Sequence, residues 1–280
     1  MNQRRLRTTF ADKTVVITAG ASGIGRAMAA QLAGYGAKVV IADIDSAAAT
    51  KLERELIAAG GTASTYTVDM IDEQQVIGLV ADTVKQYERI DYWINGVGIV
   101  MGGELRDTAL SDWHKVIHTN LRSTVNGTHI AYQQMLQQGS GHLVNIASAA
   151  GLLPTPVMAV YTTSKFAIVG LTHSLYAEAR HLNINVSVVA PGFVDTPIYQ
   201  TAIYNQMDKP KTLDLLLNKF PIQTPEQAAA RIITGIARRK LTIHTWWLLR
   251  LVWTFYRVSP KAYLVISTYF VKLFRHHLRR

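Results

Sequence analysis

The 280-residue chain contains no cysteine. That excludes disulfides, thiolate metal sites and a cysteine nucleophile, and it fits a reducing compartment. Acidic residues are missing from the C-terminal stretch. The last is Glu226, and residues 227–280 hold 11 Lys/Arg with no Asp or Glu. Residues 1–226 carry the other 18 Lys/Arg against 19 acids. The overall charge of +10 is therefore local to one segment, which suits an anionic partner or surface rather than a generally basic protein. No apolar stretch follows the charges of MNQRRLRTTFADK, so no signal peptide is expected and its arginines read as a solvated arm. Low-complexity linkers, internal repeats and a second-domain boundary are also missing.

What is present is a regular alternation. TVVIT (14–18), KVVIAD (38–43), STYTV (64–68), DYWIN (91–95), HLVNIA (142–147), INVSVVA (184–190) and KLTIHT (240–245) are β-branched runs. Helical patterns separate them, including a long one over 111–136 and another over 161–181. The expected fold is an α/β doubly wound parallel sheet of about seven strands with helices on both faces. Residues 1–245 would form one Rossmann-type domain, and 246–280 a helical extension. The break at 191–212, with Pro191, Gly192, Pro197 and Pro210, is the longest, and such loops carry ligand contacts in folds of this type.

TVVITAGASGIGRA joins the first strand to the first helix. Glycines there permit a tight turn and let a pyrophosphate approach the helix N-terminus. Asp43 ends the second strand, where a carboxylate can bond both ribose hydroxyls and repel a 2′-phosphate. Ile44 follows it instead of a cation, which favours NAD over NADP, although Arg26 and Lys38 are near in sequence. The alternative role for Asp43 is a helix cap. YTTSK sets Tyr161 and Lys165 one helical turn apart, and an ammonium beside a phenol favours the phenolate. Such a tyrosine can exchange a proton with an alcohol or carbonyl. Ser148 ends the fifth strand, where its hydroxyl can hold the substrate oxygen.

Together these motifs resemble the short-chain dehydrogenase/reductase family over roughly residues 12–245. TAGASGIG (18–25) resembles its Thr-Gly-x-x-x-Gly-x-Gly turn, with Ala19 at the first glycine position. The resemblance implies a nicotinamide dinucleotide bound by Thr18, Gly20, Ser22, Gly23, Ile24 and Gly25. It extends that contact to Asp43, Ile44, Asp69 and Met70, to Asn95 and Gly96 of NGVG, to Pro191, Gly192, Val194 and Thr196 of PGFVDT, and to Tyr161 and Lys165. NGVG departs from Asn-Asn-Ala-Gly at Gly96, where a local stability effect is expected. The implied catalytic set is Asn120, Ser148, Tyr161 and Lys165: Tyr161 exchanges the proton, Lys165 lowers its pKa, Ser148 orients the substrate and Asn120 anchors a water relay. The cofactor expected is NAD, with NADP second, in a homodimer or homotetramer.

Val100, Met101, Leu153, Phe193 and Tyr199 are apolar candidates for the substrate side, which points to a hydrophobic alcohol or its ketone or aldehyde. Plain loop packing is the competing explanation. No metal is expected: His114 and His118 lie four apart, but nothing supplies a third ligand.

HTWWLLRLVWTFYR (244–257) opens the extension, which reads as one helix to about Arg257 and, after Ser259 and Pro260, a second to about His277. Its longest uncharged run, 262–271, is far short of the ~20 residues a bilayer span requires. Basic amphipathic helices rich in Trp and Tyr lie flat on anionic membranes, so a peripheral position on the inner face of a membrane is favoured for a protein otherwise expected in the cytoplasm. Packing on a partner subunit, or roofing the substrate site, is the alternative. Two other functions stay open: a silent nucleotide-binding regulator, and a nucleic-acid-associated protein. Nucleic acid is not the expected partner, because ordered apolar helices suit lipid better.

Overall fold

The structure is a computed structural model in which residues 1–215 and 221–279 are described. Its strands are β1 (Thr14–Thr18), β2 (Lys38–Asp43), β3 (Thr62–Thr67), β4 (Tyr92–Asn95), β5 (Met101–Gly102), β6 (Gly141–Ile146), β7 (Ile184–Ala190), β8 (Ile203–Tyr204) and β9 (Thr242–His244). Seven of them form one parallel sheet in the order β3-β2-β1-β4-β6-β7-β9, while β5 and β8 pair separately.

The helices are α1 (Gln3–Phe10), α2 (Gly23–Gly34), α3 (Ser46–Ala58), α4 (Glu73–Tyr87), α5 (Leu110–Val116), α6 (Ser123–Gln137), α7 (Ala159–Ala179), α8 (Ile198–Thr201), α9 (Lys209–Asp214), α10 (Pro225–Ala237), α11 (Trp247–Val258) and α12 (Pro260–His277). Successive strand residues face opposite sides, and the core divides accordingly. Val15, Ile17, Val39 and Ile41 pack with Leu32, Leu52, Ile232 and Ile236 of α2, α3 and α10. Val16, Val40 and Trp93 pack with Leu79, Met135 and Leu175 of α4, α6 and α7. Both faces of the sheet are thus covered, which explains why inner strands such as β1 and β7 are buried at nearly every position, while the edge strand β3, TASTYT, is not.

Strand order reverses at β1, which lies between β2 and β4. The crevice beyond the C-terminal ends of β1 and β4 is where such a sheet binds ligands. The two ends are joined there: the Gly96 amide donates to Thr18 Oγ1 at 3.0 Å, and a Cβ on Gly96 would sit 2.5 Å from the Thr18 carbonyl oxygen.

Three features depart from the expectations. The N-terminal arm is the helix α1, whose Leu6 and Phe10, one turn apart, are buried in the core while its arginines face solvent. The long helix over 111–136 is interrupted by a wide π-type turn, Ile117–Arg122, between α5 and α6. The break at 191–212 contains α8, β8 and the start of α9.

Candidate active site

The glycine turn is built by close approach. A Cβ on Gly25 would lie 2.2 Å from the Ala19 carbonyl oxygen, and one on Gly20 would lie 2.7 Å from that of Ile17. Gly23 takes φ +49°, and its missing side chain leaves room for Thr196, whose Cγ2 would be 3.1 Å from a Cβ. Ala19 itself takes φ +52°, the left-handed region that a glycine enters freely. Ala19 thus holds a backbone conformation suited to glycine, at a local strain of roughly 1–2 kcal/mol.

Asp43 is buried at the end of β2. One carboxylate oxygen accepts from the Ala21 amide at 2.9 Å and the other from the Asp45 amide at 3.1 Å. The cap of α3 is Asp45, not Asp43. Asp43 thus holds the glycine turn against β2. A carboxylate offers about four lone-pair directions, so two remain for a ligand. Asp69 closes the neighbouring strand end, with its Oδ1 accepting from the Ile71 amide at 2.9 Å, and Met70 beside it is buried. Asn95 faces the interior: its side chain accepts from Trp93 Nε1 at 2.7 Å and donates to Thr128 at 3.0 Å and Asn145 at 2.8 Å.

The other wall of the crevice comes from the π-type turn and α7. Asn120 is fully buried, and its amide pairs with both backbone groups of Ile99, at 2.7 and 3.0 Å. It also donates to Ser164 Oγ at 3.1 Å, which donates in turn to the Tyr161 carbonyl at 2.7 Å. Wide turns of this kind are common at functional sites, and this one orients Asn120 toward α7. Gly98 lies in the gap: a Cβ there would be 3.2 Å from Lys165 Nζ and 3.5 Å from Asn120 Oδ1. Lys165 donates to the Ile146 carbonyl at 3.2 Å, and its Nζ is 5.7 Å from the centre of the Tyr161 ring. Ser148 lies across from Tyr161, accepts from the Ala150 amide at 3.1 Å, and hydrogen-bonds the tyrosine side chain.

Electrostatics differ from the expectation that Lys165 lowers the tyrosine pKa. Burial pushes the Tyr161 phenol up, and the Ser148 hydrogen bond offsets only part of that. Burial also lowers the Lys165 ammonium to about 8. Desolvation acts on both groups, and each is pushed toward its neutral form.

Of the residues expected on the substrate side, Val100 packs with Tyr161 in a small apolar cluster. Tyr199 lies close by, and its hydroxyl pKa is pushed up by burial and then by Tyr161. Met101 belongs instead to a group with Val116 and Val160, and Leu153 packs beneath α11 with Leu249. Phe193 stays on the loop after β7, with its carbonyl accepting from the Gln223 amide at 3.0 Å. Ala150, Met158, Ile198, Ala202 and Tyr204 complete the cluster around Tyr161. Their sequence gives no periodic signal, since they come from separate loops. Ser164, by contrast, was within reach, because it sits three residues after Tyr161 on the same helix. Pro191 and Gly192 anchor the loop after β7: the Pro191 carbonyl accepts from Ala149 at 2.8 Å and the Gly192 amide donates to Thr245 Oγ1 at 3.2 Å. Val194 and Thr196 are buried further along. His114 and His118 stack at 6.4 Å, and among the described residues no three His, Asp or Glu could hold a metal.

The family model for short chain dehydrogenases matches residues 13–206. The CLA biosynthesis dehydrogenase/reductase of Lactiplantibacillus plantarum is 35% identical over 195 residues, covering 69% of this chain and 68% of that one. The 3-oxoacyl-acyl-carrier-protein reductase FabG of Thermotoga maritima is 31% identical over 224 residues, covering 79% and 89%. Among solved structures, a short chain dehydrogenase/reductase from Burkholderia phymatum in complex with NAD superposes with a TM-score of 0.82 at 28% identity, over 90% of this chain and 95% of the other. The family-model match over residues 13–206, the relatives at 31–35% identity and the superposition over 90% of the chain make this protein an oxidoreductase of the short-chain dehydrogenase/reductase family.

Proposed function

We propose that the protein interconverts a hydrophobic secondary or primary alcohol and its carbonyl compound with NAD, using Tyr161 as the acid/base. The observation that carries this is the cluster at Tyr161: the buried ring packs with Val100, Ala150, Met158, Ile198, Ala202 and Tyr204. An apolar wall with one proton-transferring hydroxyl suits a substrate whose only polar group is the reacting oxygen.

The residues present fit a dinucleotide. Gly20, Gly23 and Gly25 leave backbone where a side chain would block a pyrophosphate, next to the N-terminus of α2. Asp43, with Asp69 beside it, would take the adenosine end, and Thr196 lies against Gly23 at the other end. Support for NAD over NADP comes from the basic residues near Asp43. Arg26 is committed to Glu55 at 2.7 Å, and Lys38 starts β2 while Asp43 ends it, roughly 16 Å away at ~3.3 Å per residue. The exposed Ile44 supplies no cation.

When bound, the nicotinamide ring supplies the hydride or accepts it. The protein's own groups do the rest. Ser148 and Tyr161 converge on the substrate oxygen. Tyr161, with its pKa raised by burial, holds its proton at neutral pH and delivers it to a developing alkoxide. Asn120, held by Ile99 and bonded to Ser164, steadies the helix that carries Tyr161 and Lys165.

The test is Tyr161→Phe. Turnover of a panel of medium-chain and aromatic ketones with NADH is expected to fall by at least ~10³-fold, within the range of lost acid–base catalysis plus lost orientation, with NADH affinity kept. A variant that keeps a tenth of its activity would refute the assignment. Activity of the unaltered protein on charged substrates alone would refute the substrate class.

A further inference from the structure

We infer that α11 and α12 form a seat on which the protein lies flat against an anionic lipid surface. Of the 17 large apolar side chains exposed among the described residues, ten belong to these two helices. Trp247, Leu251, Phe255 and Val258 recur at three- and four-residue spacing along α11, so they form one outward stripe. Val265, Ile266, Tyr269, Phe270 and Leu273 form a broader stripe on α12, with Leu264 exposed outside it. The opposite faces are already used. Leu249, Val252, Trp253, Tyr256 and Tyr263 pack on Leu152, Ile168 and Val188 of the body, so the outward stripes do not arise from a helix pair adrift.

The charge beside the stripes selects the occupant. Arg250, Arg257, Lys261 and Lys272 are all exposed, and no carboxylate occurs anywhere in 227–280. A second copy of the chain meeting this face about a two-fold axis would bring the same cations together, with no acid on the face to pair them. A surface of anionic headgroups over an apolar layer satisfies both features, since Trp and Tyr sit at the headgroup level and Lys/Arg meet the phosphates. Neither helix is long and apolar enough to cross a membrane, so the seat is parallel to the surface.

The seat is fixed to the body and does not dangle. Arg275 makes two 2.9 Å hydrogen bonds to Glu104, Arg279 reaches Glu104 at 3.1 Å and Asp107 at 3.0 Å, and the Tyr263 hydroxyl donates to the Pro154 carbonyl at 3.0 Å. Glu104 follows β5, whose other end is preceded by Val100, and Pro154 belongs to the loop after β6 that supplies Met158, so both lie close in sequence to the cluster around Tyr161. A bilayer met by the seat lies beside those segments.

Cosedimentation of the full chain with phosphatidylcholine/phosphatidylserine vesicles, and with phosphatidylcholine alone, tests this without reading turnover. At about 0.1 M salt the protein is expected to pellet with the mixed vesicles and much less with the neutral ones. Each Lys or Arg at such a surface is worth roughly fivefold in binding, so Arg250→Gln/Lys261→Gln/Lys272→Gln should weaken it on the order of 100-fold. Leu251→Ser/Phe270→Ser should weaken it too while leaving the melting temperature unchanged. Because all five positions are exposed, folding is not at stake, and raising the salt on unaltered protein gives an independent check of the charge term. No pelleting with either vesicle overturns the inference, as does equal pelleting with both. It also fails if the protein dimerises through this face, with Leu251→Ser/Phe270→Ser releasing monomers and vesicles ignored, or if it binds DNA and not lipid.

Discussion

Replacing Asn95 with alanine separates a structural role from a ligand contact. In the structure the side chain closes a buried polar network rather than reaching into the crevice. It takes the Trp93 indole N–H and gives its own N–H groups to Thr128 and Asn145, and Asn145 continues to Thr172 at 3.0 Å. Alanine leaves the fully buried Trp93 N–H without an acceptor, which costs about 1–3 kcal/mol. Asn145 Oδ1 keeps the Thr128 hydroxyl at 3.1 Å, so its loss is smaller. With the cavity left by the missing amide, the total is about 2–4 kcal/mol. At ~2.1 cal/mol/K per residue, a chain of 280 residues unfolds with an entropy of ~0.6 kcal/mol/K, so the melting temperature should fall by roughly 3–7 °C. Thermal melts and urea titrations measure this, with the midpoint moving and the slope constant. NAD affinity measured well below the melt should change less than threefold. A variant that melts within about 1 °C of the parent, or one that keeps its stability and loses NAD, would refute the reasoning.

Lys165 makes a pH-dependent prediction. Its folded pKa is lowered to about 8 against an ordinary value of 10.5, so between these the unfolded chain holds the proton longer and stability rises with pH. Urea midpoints from pH 7 to 10 should show that rise in the parent and a flatter curve in Lys165→Met; parallel curves would count against it. Glu104, held at about 2 first by the Arg275 hydrogen bond, stabilises the docking of α12 above pH ~4.5 and loses that contribution as pH falls toward 2. Glu104→Gln should speed tryptic cleavage within α12 by about tenfold at neutral pH, and an unchanged digest would show that the clamp is idle. Ala19→Gly should relieve the strain at φ +52° for a net gain of ~0.5–1 kcal/mol after the added chain entropy, read as a melting temperature higher by about 1–2 °C; a lower one would mean the methyl packs favourably.

The parallel sheet was legible because the inner strands carry apolar β-branched runs and helical patterns separate them, and the strand β7 was predicted residue for residue. The site was legible where its chemistry needs residues close in sequence, as with the glycine turn and the Tyr161–Lys165 pair. Assembly across the fold was not. Asn120 depends on the backbone of Ile99, and the apolar surroundings of Tyr161 come from three separate loops. The π-type turn has no sequence signal, because one extra residue per turn hardly alters the apolar spacing. The helix α1 was missed because only two apolar residues, Leu6 and Phe10, mark its buried face among charges. The direction of the Tyr161 shift was also hidden, since spacing reveals the neighbouring ammonium but not the burial that outweighs it.

The position of β9 at the sheet edge, pairing with β7 and followed directly by α11, sets an order of events during synthesis. Every surface on which α11 and α12 rest, from Glu104 to Pro154 and Val188, is made before those helices leave the ribosome. The segment richest in exposed apolar side chains therefore emerges after its platform, which can already have formed, and a nascent chain stalled before residue 246 exposes the platform but not the segment. That arrangement limits the time in which ten bare apolar side chains could capture a neighbouring nascent chain instead.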